Sequence, residues 1–419
     1  MFKKAFFLFL FIFFLFIGTK LCFSENKKKN NDDLYKEVEL FSSTLAIIQN
    51  EYADETKTKD LVYGALKGML GSLDAHSQFM DPQAYEELKM DTQGKFGGIG
   101  IEITIKNEFL TVITPIEDTP AWKAGVKAND RIIKINQDPT QGMALNEAVR
   151  KIRGKPKEIV ELTIMRNNGN KLLNFKIIRE MIKVNDIKSA RILEEGIGYI
   201  KITEFRQNTY QEMSNALEGL YKQGIKALII DLRNNPGGLL DSAVKVAGRF
   251  LEPNKLIIYT KGRRSEQNLE FFSDTKAKDL NLPLAVLVNA GSASGSEVVA
   301  GAFQDYKRAL IIGEKSFGKG SVQTIVPLPD GSALRLTTSH YFTPSGKIIQ
   351  DKGISPDIQV GEKKTIEDKE EAANKRPLEV KNAQQDKEVA PDISDYKTDP
   401  QLMRAVETLK TIQIYKNTK

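Results

Sequence analysis

A chain of 419 residues is too long for one ordinary domain and predicts two or three folded units. Apolar residues at 41% with 15 prolines suit a globular protein that carries some loose segments. The 61 basic and 55 acidic residues leave a net charge of +6, mildly basic and mixed in sign, which argues against nucleic acid as a partner.

The N-terminus pairs Lys3 and Lys4 with an apolar run from Ala5 to Ile17, "AFFLFLFIFFLFI". This is a charged n-region and an h-region of signal-peptide length, short of the ~20 residues a spanning helix needs. A signal peptide over 1–24 is expected, with cleavage after Ser24. The alternative is an uncleaved segment that tethers the chain to the inner membrane through residues 5–17. Either way the body is exported. Cys22 is the only cysteine, and Leu21 stands before it where a lipid-attachment motif wants a small residue. The body therefore has no disulfide, thiolate nucleophile or cysteine metal site, and an exported chain of this kind points to a bacterial periplasm or envelope.

Residues 25–90 read as helical, with "LYKEVELFSSTLAIIQNEY" apolar at helical spacing. From residue 91 to 183 the texture is β-rich: "KFGGIGIEITIKN", "FLTVITPI" and "DRIIKINQDP" read as strands, and Asn168-Gly169 as a hairpin turn. From 184 to 360 near-continuous apolar strands, "GIGYIKI", "KALIIDLR", "KLIIYT", "LPLAVLVNA" and "RALIIGE", alternate with helices. That rhythm predicts an α/β fold, a mixed and largely parallel sheet with crossover helices. Residues 361–419 form a charged linker followed by a short amphipathic helix from Asp399-Pro400, with Leu402, Val406 and Leu409 on one face.

Functional loops of parallel sheets sit at the carboxyl ends of strands. Two fall there: "NNPGG" (234–238) and "GSASGS" (291–296). The second raises a question. Ser294-x-x-Glu297 is a capping box, so Ser294 reads as a helix N-cap, and the elbow pattern G-x-S-x-G is missing. The third loop, "GEKSFGKGSVQ", nearly matches a P-loop at Gly313-x4-Gly318-Lys319, but Gly320 stands where magnesium needs Ser or Thr, and no helix follows. Lys319 lies 25 residues after Ser294, one helix and one strand later, so a Ser/Lys pair is available. As a base near neutral pH Lys319 must be uncharged, which requires burial to pull its pKa down. A solvated surface lysine fits the spacing equally well.

Only His76 and His340 are present. His340, in the strand "LRLTTSHYF", is the alternative base of a Ser-His-Asp triad, and two histidines so far apart argue against a zinc hydrolase. "FGGIG" (96–100) precedes a strand. Its backbone amides can converge on an anion and the strand can accept an added one; a plain glycine-rich turn is the other reading.

In this order "FGGIGIEI", "TPAWKAGVKANDRIIKINQ", "DLRNNPGG", "GSASGSE" and "GEKSFGKGSVQ" resemble the carboxyl-terminal processing, or tail-specific, proteases over roughly residues 40–360. The resemblance implies a serine peptidase core over 184–360, a PDZ domain at 91–183, and no cofactor or metal. It implies Ser294 as nucleophile, Lys319 as general base and Gln323 as the group hydrogen-bonded to that base. Oxyanion donors would come from Gly237 or Gly238 and from Gly295. Phe96, Gly97, Gly98 and Ile99 would form the carboxylate loop of the PDZ domain, and Arg153 would link its state to the active site. The expected partner is a protein or peptide with a free C-terminus, with room for a homo-oligomer. Two departures are Gly295 where alanine is usual and Asn129 where glycine is usual. The rival class is a PDZ-based binding protein or chaperone with a degenerate core.

Overall fold

The computed structural model describes residues 33–106, 108–166, 171–274, 281–361 and 396–417. The expected signal peptide, the Asn168-Gly169 turn and the linker from 362 to 395 lie outside them. No helix among the described residues is long and apolar enough to cross a membrane. The chain divides into two compact units, Met1–Asp81 and Pro82–Lys419.

The first unit holds helix α1 (33–51), α2 (Thr58–Gly71) and strand β1 (Gln78–Met80). Tyr63 of α2 packs its ring on Phe79 of β1 at 4.7 Å. Helix α1 leaves Leu34, Tyr35, Val38, Phe41 and Ile47 exposed.

The second unit opens with α3 (Pro82–Thr92) and β2 (Lys95–Gly98). Next come β3 (Ile101–Lys106), β4 (Phe109–Pro115), α4 (Pro120–Lys123), β5 (Arg131–Ile135) and β6 (Asp138–Pro139). Helix α5 (Leu145–Ile152), β7 (Ile159–Arg166), β8 (Lys171–Ile178) and β9 (Glu180–Lys183) complete the β-rich region. Strands β3-β4-β5-β7-β8 form one antiparallel sheet with β3 at an edge, while β2 ladders with β9 and brings the two ends of the region together. Inward Ile132, Ile135, Val160, Leu162 and Ile164 alternate with outward residues and make its core. The turn before β5 needs a left-handed residue, and Asn129 supplies it at φ 64°.

Strands β10 (Ile187–Ile192), β11 (Ile197–Ile202) and β12 (Ala227–Asp231) flank helix α6 (Thr209–Lys222). After α7 (Leu240–Gly248) come β13 (Leu256–Gly262) and β14 (Glu270–Phe272). Strand β15 (Leu284–Val288), α8 (Gly295–Asp305), β16 (Leu310–Gly313), β17 (Ser321–Pro327), β18 (Ala333–Phe342) and β19 (Ile358–Gln359) follow. The main sheet runs β10-β11-β12-β15-β16-β19, parallel except for β10.

One expectation is corrected. "KLIIYT" is not part of the parallel sheet: β13 pairs antiparallel with β18 and β14, and β17 also pairs with β18. A short apolar strand carries no mark of which sheet it joins, because either one buries it.

The sheet is covered on both faces. Leu228, Ile230 and Val286 meet the helices α6, α7 and α8 through Met213, Val246 and Phe303. The other face, Tyr199, Ile229, Ala285 and Leu287, is sealed by the last helix, α9 (Pro400–Asn417). Its Leu402, Val406 and Leu409 are buried as their spacing predicts, and Ala405 joins them. Each large aliphatic side chain buried in this way stabilises the fold by about 1.5–3 kcal/mol.

Candidate active site

The loops 232–238, 289–294 and 314–320 leave the carboxyl ends of β12, β15 and β16, three adjacent parallel strands. Adjacency alone brings them together, and a polar lattice then fixes them. Asn289 Oδ1 accepts the Asn234 N–H at 2.9 Å and the Gly291 N–H at 3.0 Å, while Asn289 Nδ2 donates to Asn234 Oδ1. The Ala293 N–H donates to the Asn235 carbonyl at 3.0 Å.

The three serines of the second loop divide by role. Ser292 Oγ donates to the Leu232 carbonyl at 2.8 Å, and Ser296 Oγ donates to the Asn235 carbonyl at 2.9 Å. Both hydroxyls pin one loop to the other. Ser294 differs: it is half-buried, bonds neither of the carbonyls that hold Ser292 and Ser296, and opens α8 in a capping box with Glu297. Glu297 Oε2 accepts the Ser294 N–H at 2.8 Å. Ser294 sits at φ 51°, ψ −111°, a region that a residue with a side chain adopts only when its surroundings impose it. The strained strand–turn–helix geometry of a nucleophile elbow is therefore present without the G-x-S-x-G pattern.

Glu297 does more than the capping box predicts. It is fully buried, and its Oε1 accepts Ser316 Oγ–H at 2.6 Å and the Gly318 N–H at 2.7 Å. Its Oε2 accepts the Lys319 N–H at 2.9 Å beside that of Ser294. One carboxylate thus holds the backbone of both Ser294 and Lys319. Burial pushes its pKa up, and these four hydrogen bonds oppose that shift.

Lys319 is half-buried. Burial lowers its pKa, the Arg335 guanidinium lowers it further, and Glu297 acts against both. Among the described residues its amine has no carboxylate or hydrogen-bond partner. Gln323 is not bonded to it: Gln323 Nε2 donates to Ser321 Oγ at 2.8 Å instead. His340 is exposed on β18, opposite Ser321 and Lys261 in the ladders, and makes no hydrogen bond to Ser294.

Gly237 lies against the serine. A methyl group built there would stand 2.7 Å from Ser294 Cβ and 2.7 Å from the Gly295 nitrogen, and φ is +102°. Only glycine permits that approach. The Gly237 N–H donates to Asn235 Oδ1 at 2.9 Å, whereas the N–H groups of Gly238 and Gly295 meet no acceptor among the described residues. Of these two free amides, that of Gly295 follows Ser294 directly, and that of Gly238 follows the glycine that abuts it. Gly295 lies in α8 without a positive φ, with the Phe205 ring and the Ala243 methyl close above it.

In the β-rich region Phe96, Gly97 and Gly98 lie on β2, and Ile99, fully buried, leads into the edge strand β3. A side chain at Gly97 would run into the Gly154 carbonyl, whose own N–H donates to the Gly97 carbonyl at 3.1 Å. Arg153 stacks on the Phe96 ring at 4.5 Å and pairs with Asp91 at 3.2 Å, so it touches both the loop and α3.

Sequence reasoning missed Glu297 as a shared acceptor, Arg335, and the pair Asp231–Arg233. Asp231 is fully buried. Burial opposes its ionisation, but Arg233 and Lys201 outweigh that and hold it below the usual carboxylate range. The charged pair closing an otherwise apolar run, "ALIIDLR", is the signal that could have exposed it.

Comparison with known proteins identifies the family. A profile described as "Peptidase family S41" matches residues 196–360, "PDZ domain" matches 87–165, and "Activating protease CtpB N-terminal domain" matches 19–84. The "Carboxy-terminal-processing protease" of Bartonella bacilliformis is 44% identical over 337 residues, 79% of this chain and 76% of that protein. A "Probable CtpA-like serine protease" of Staphylococcus aureus is 35% identical over 83% of this chain and 68% of its own length. A solved "photosystem II D1 C-terminal processing protease" shares 31% identity, covers 77% of this chain and 92% of that one, and gives a TM-score of 0.46. Fold and relatives together define a serine-type peptidase with a PDZ domain. The chain belongs to the carboxyl-terminal processing proteases of peptidase family S41.

Proposed function

We propose that this protease is exported and cleaves protein substrates captured by their free C-terminus, through a Ser294/Lys319 dyad and an acyl-enzyme. The carrying observation is the buried Glu297 carboxylate, which accepts the backbone N–H of both residues and so sets the serine and the lysine in one frame. Lys319 removes the Ser294 proton as Oγ attacks the scissile carbonyl carbon. The amides of Gly238 and Gly295 face the oxygen that becomes negative, where fixed donors lower the barrier most. The C–N bond breaks, the leaving amine takes the proton from Lys319, and water then hydrolyses the ester. Gln323 holds Ser321 at the start of β17, two residues after the lysine.

Burial and the Arg335 cation both favour the uncharged amine that this step needs. The helix start beneath Ser294 adds a favourable field for the developing charge. The edge strand β3, beside Phe96–Ile99, supports capture of an extended tail by strand addition within a PDZ unit spanning 91–183. The charged-then-apolar start of the sequence supports export to a bacterial periplasm or envelope. The exposed apolar residues of α1 support self-association.

The test compares wild type with Ser294→Ala and Lys319→Ala on an unstructured polypeptide ending in apolar residues. Wild type cleaves it, and each variant loses on the order of 10⁴-fold or more in kcat. Equal cleavage by all three overturns the dyad.

A further inference from the structure

The C-terminal helix reaches the active-site loop through one ion pair. Arg233 follows β12 and stands directly before the loop 234–238. Its guanidinium forks onto Asp231, with Nη2 to Oδ2 at 2.7 Å and Nε to Oδ1 at 3.0 Å. Its remaining nitrogen, Nη1, points to the start of α9, 2.7 Å from Asp399 Oδ2 and 3.1 Å from Gln401 Oε1. Gln401 Nε2 in turn donates to the Val360 carbonyl at 2.8 Å, at the end of β19. Tyr199 OH donates to Asp231 Oδ2 at 2.8 Å and closes the cluster from below. Burial works against the charge on Arg233, but Asp231 and Asp399 outweigh it and raise its pKa.

The loop that follows packs against Ser294. Asn234 is locked to Asn289, Asn235 holds the Gly237 N–H, and Gly237 abuts Ser294. A guanidinium anchored on two sides has one position, whereas one anchored only by the adjacent Asp231 moves with the loop it should fix. We infer that Asp399 is a positioning residue: by holding Arg233 from α9, it sets the 234–238 loop against Ser294, so the C-terminal helix is a working part of the active site. The chain between this helix and β19, 362–395, reads as a charged linker without core residues, so α9 is docked by its apolar face together with the polar contacts of Asp399, Gln401 and Lys410.

The substitution Asp399→Asn separates this role from a structural one. Asp399 Oδ1 also caps α9, accepting the N–H of Gln401 at 3.1 Å and of Leu402 at 3.0 Å. Asparagine keeps such a cap and removes the charge. In the full chain, two readouts apply: kcat and KM on an unstructured peptide, and hydrogen exchange of the amides at 234–238. The kinetic arm rests on the Ser294 reading; the exchange arm does not. Asp399→Asn lowers kcat roughly 3- to 30-fold, a coupling of the size that remote contacts carry, with KM little changed. It also speeds exchange at 234–238, while Asp399→Glu restores both. Lys410→Gln, which removes the pairing of α9 with Glu194 and Glu195 near its other end, leaves both at wild-type values. Asp399→Ser, another cap former, serves as a second variant. Wild-type exchange at 234–238 in Asp399→Asn and Asp399→Ser overturns the inference. A wild type that does not cleave fails the Ser294 reading alone and leaves the exchange comparison to decide this one.

Discussion

Glu297 and Lys319 are joined by a hydrogen bond from the lysine backbone N–H to the buried glutamate Oε2, 2.9 Å long. The contact is to the main chain, so it places the lysine without neutralising its side chain. The same oxygen accepts the Ser294 N–H. Glu297→Gln tests this sharing. Glutamine offers one acceptor oxygen and one NH2 group to four donors, so two of them face an NH2 donor and lose their acceptor. The substitution lowers kcat about 10- to 1000-fold and stability by about 1–3 kcal/mol. Steady-state kinetics and denaturant unfolding check the two effects separately.

Arg335 gives a pH prediction with a definite sign. Its positive charge disfavours the protonated form of Lys319 and so lowers the lysine pKa. Replacing it by glutamine removes that repulsion and raises the pKa. The rising limb of the kcat–pH profile, which reports deprotonation of the base, then moves to higher pH. Arg335→Lys keeps the charge and keeps the limb. An unmoved limb in Arg335→Gln shows that the limb belongs to another group.

Gly237→Ala places a methyl group 2.7 Å from Ser294 Cβ at a backbone angle that suits only glycine. Acylation falls on the order of 100-fold or more, because small displacements at a reacting centre carry that penalty. Labelling by a serine-directed reagent, followed by mass spectrometry, reads the loss at Ser294 itself. Gly295→Ala is milder, since that residue lies in α8 without a positive φ and its tightest contacts, at 3.1 and 3.3 Å, are with side chains.

Amidation of the substrate C-terminus tests capture by Phe96–Ile99. Removing the carboxylate lowers kcat/KM about tenfold or more, the loss of a charged hydrogen-bonding partner, through KM rather than kcat. A peptide cleaved equally well with either end shows that the free carboxylate is not what is read.

Much of this architecture is written in local pattern. Alternation in "IVELTIMR" marks β7, continuous apolar runs mark the buried strands, and the spacing of Leu402, Val406 and Leu409 marks the inner face of α9. The three loops of the site are legible because parallel strands deliver their carboxyl ends to one edge. What stays hidden depends on distance along the chain. Arg233 meets Asp399 across 166 residues, and Arg335 reaches Lys319 through the β17–β18 hairpin. Glu297 looks like an ordinary capping-box partner because the sequence shows its neighbour Ser294 but not the Lys319 loop folding over it. The placement of β13 in the second sheet is invisible for the same reason: periodicity reports burial, not the neighbour that provides it.

Cleavage through the dyad turns on the protonation of one side chain. Selective labelling of lysine Nζ with nitrogen-15, assigned through Lys319→Arg, allows the amine to be titrated by NMR in the folded protease. With Lys319 as the base, its signal loses its charge below the ordinary lysine range and follows the rising limb of kcat. A Lys319 amine still fully cationic at the pH of fastest cleavage contradicts that role.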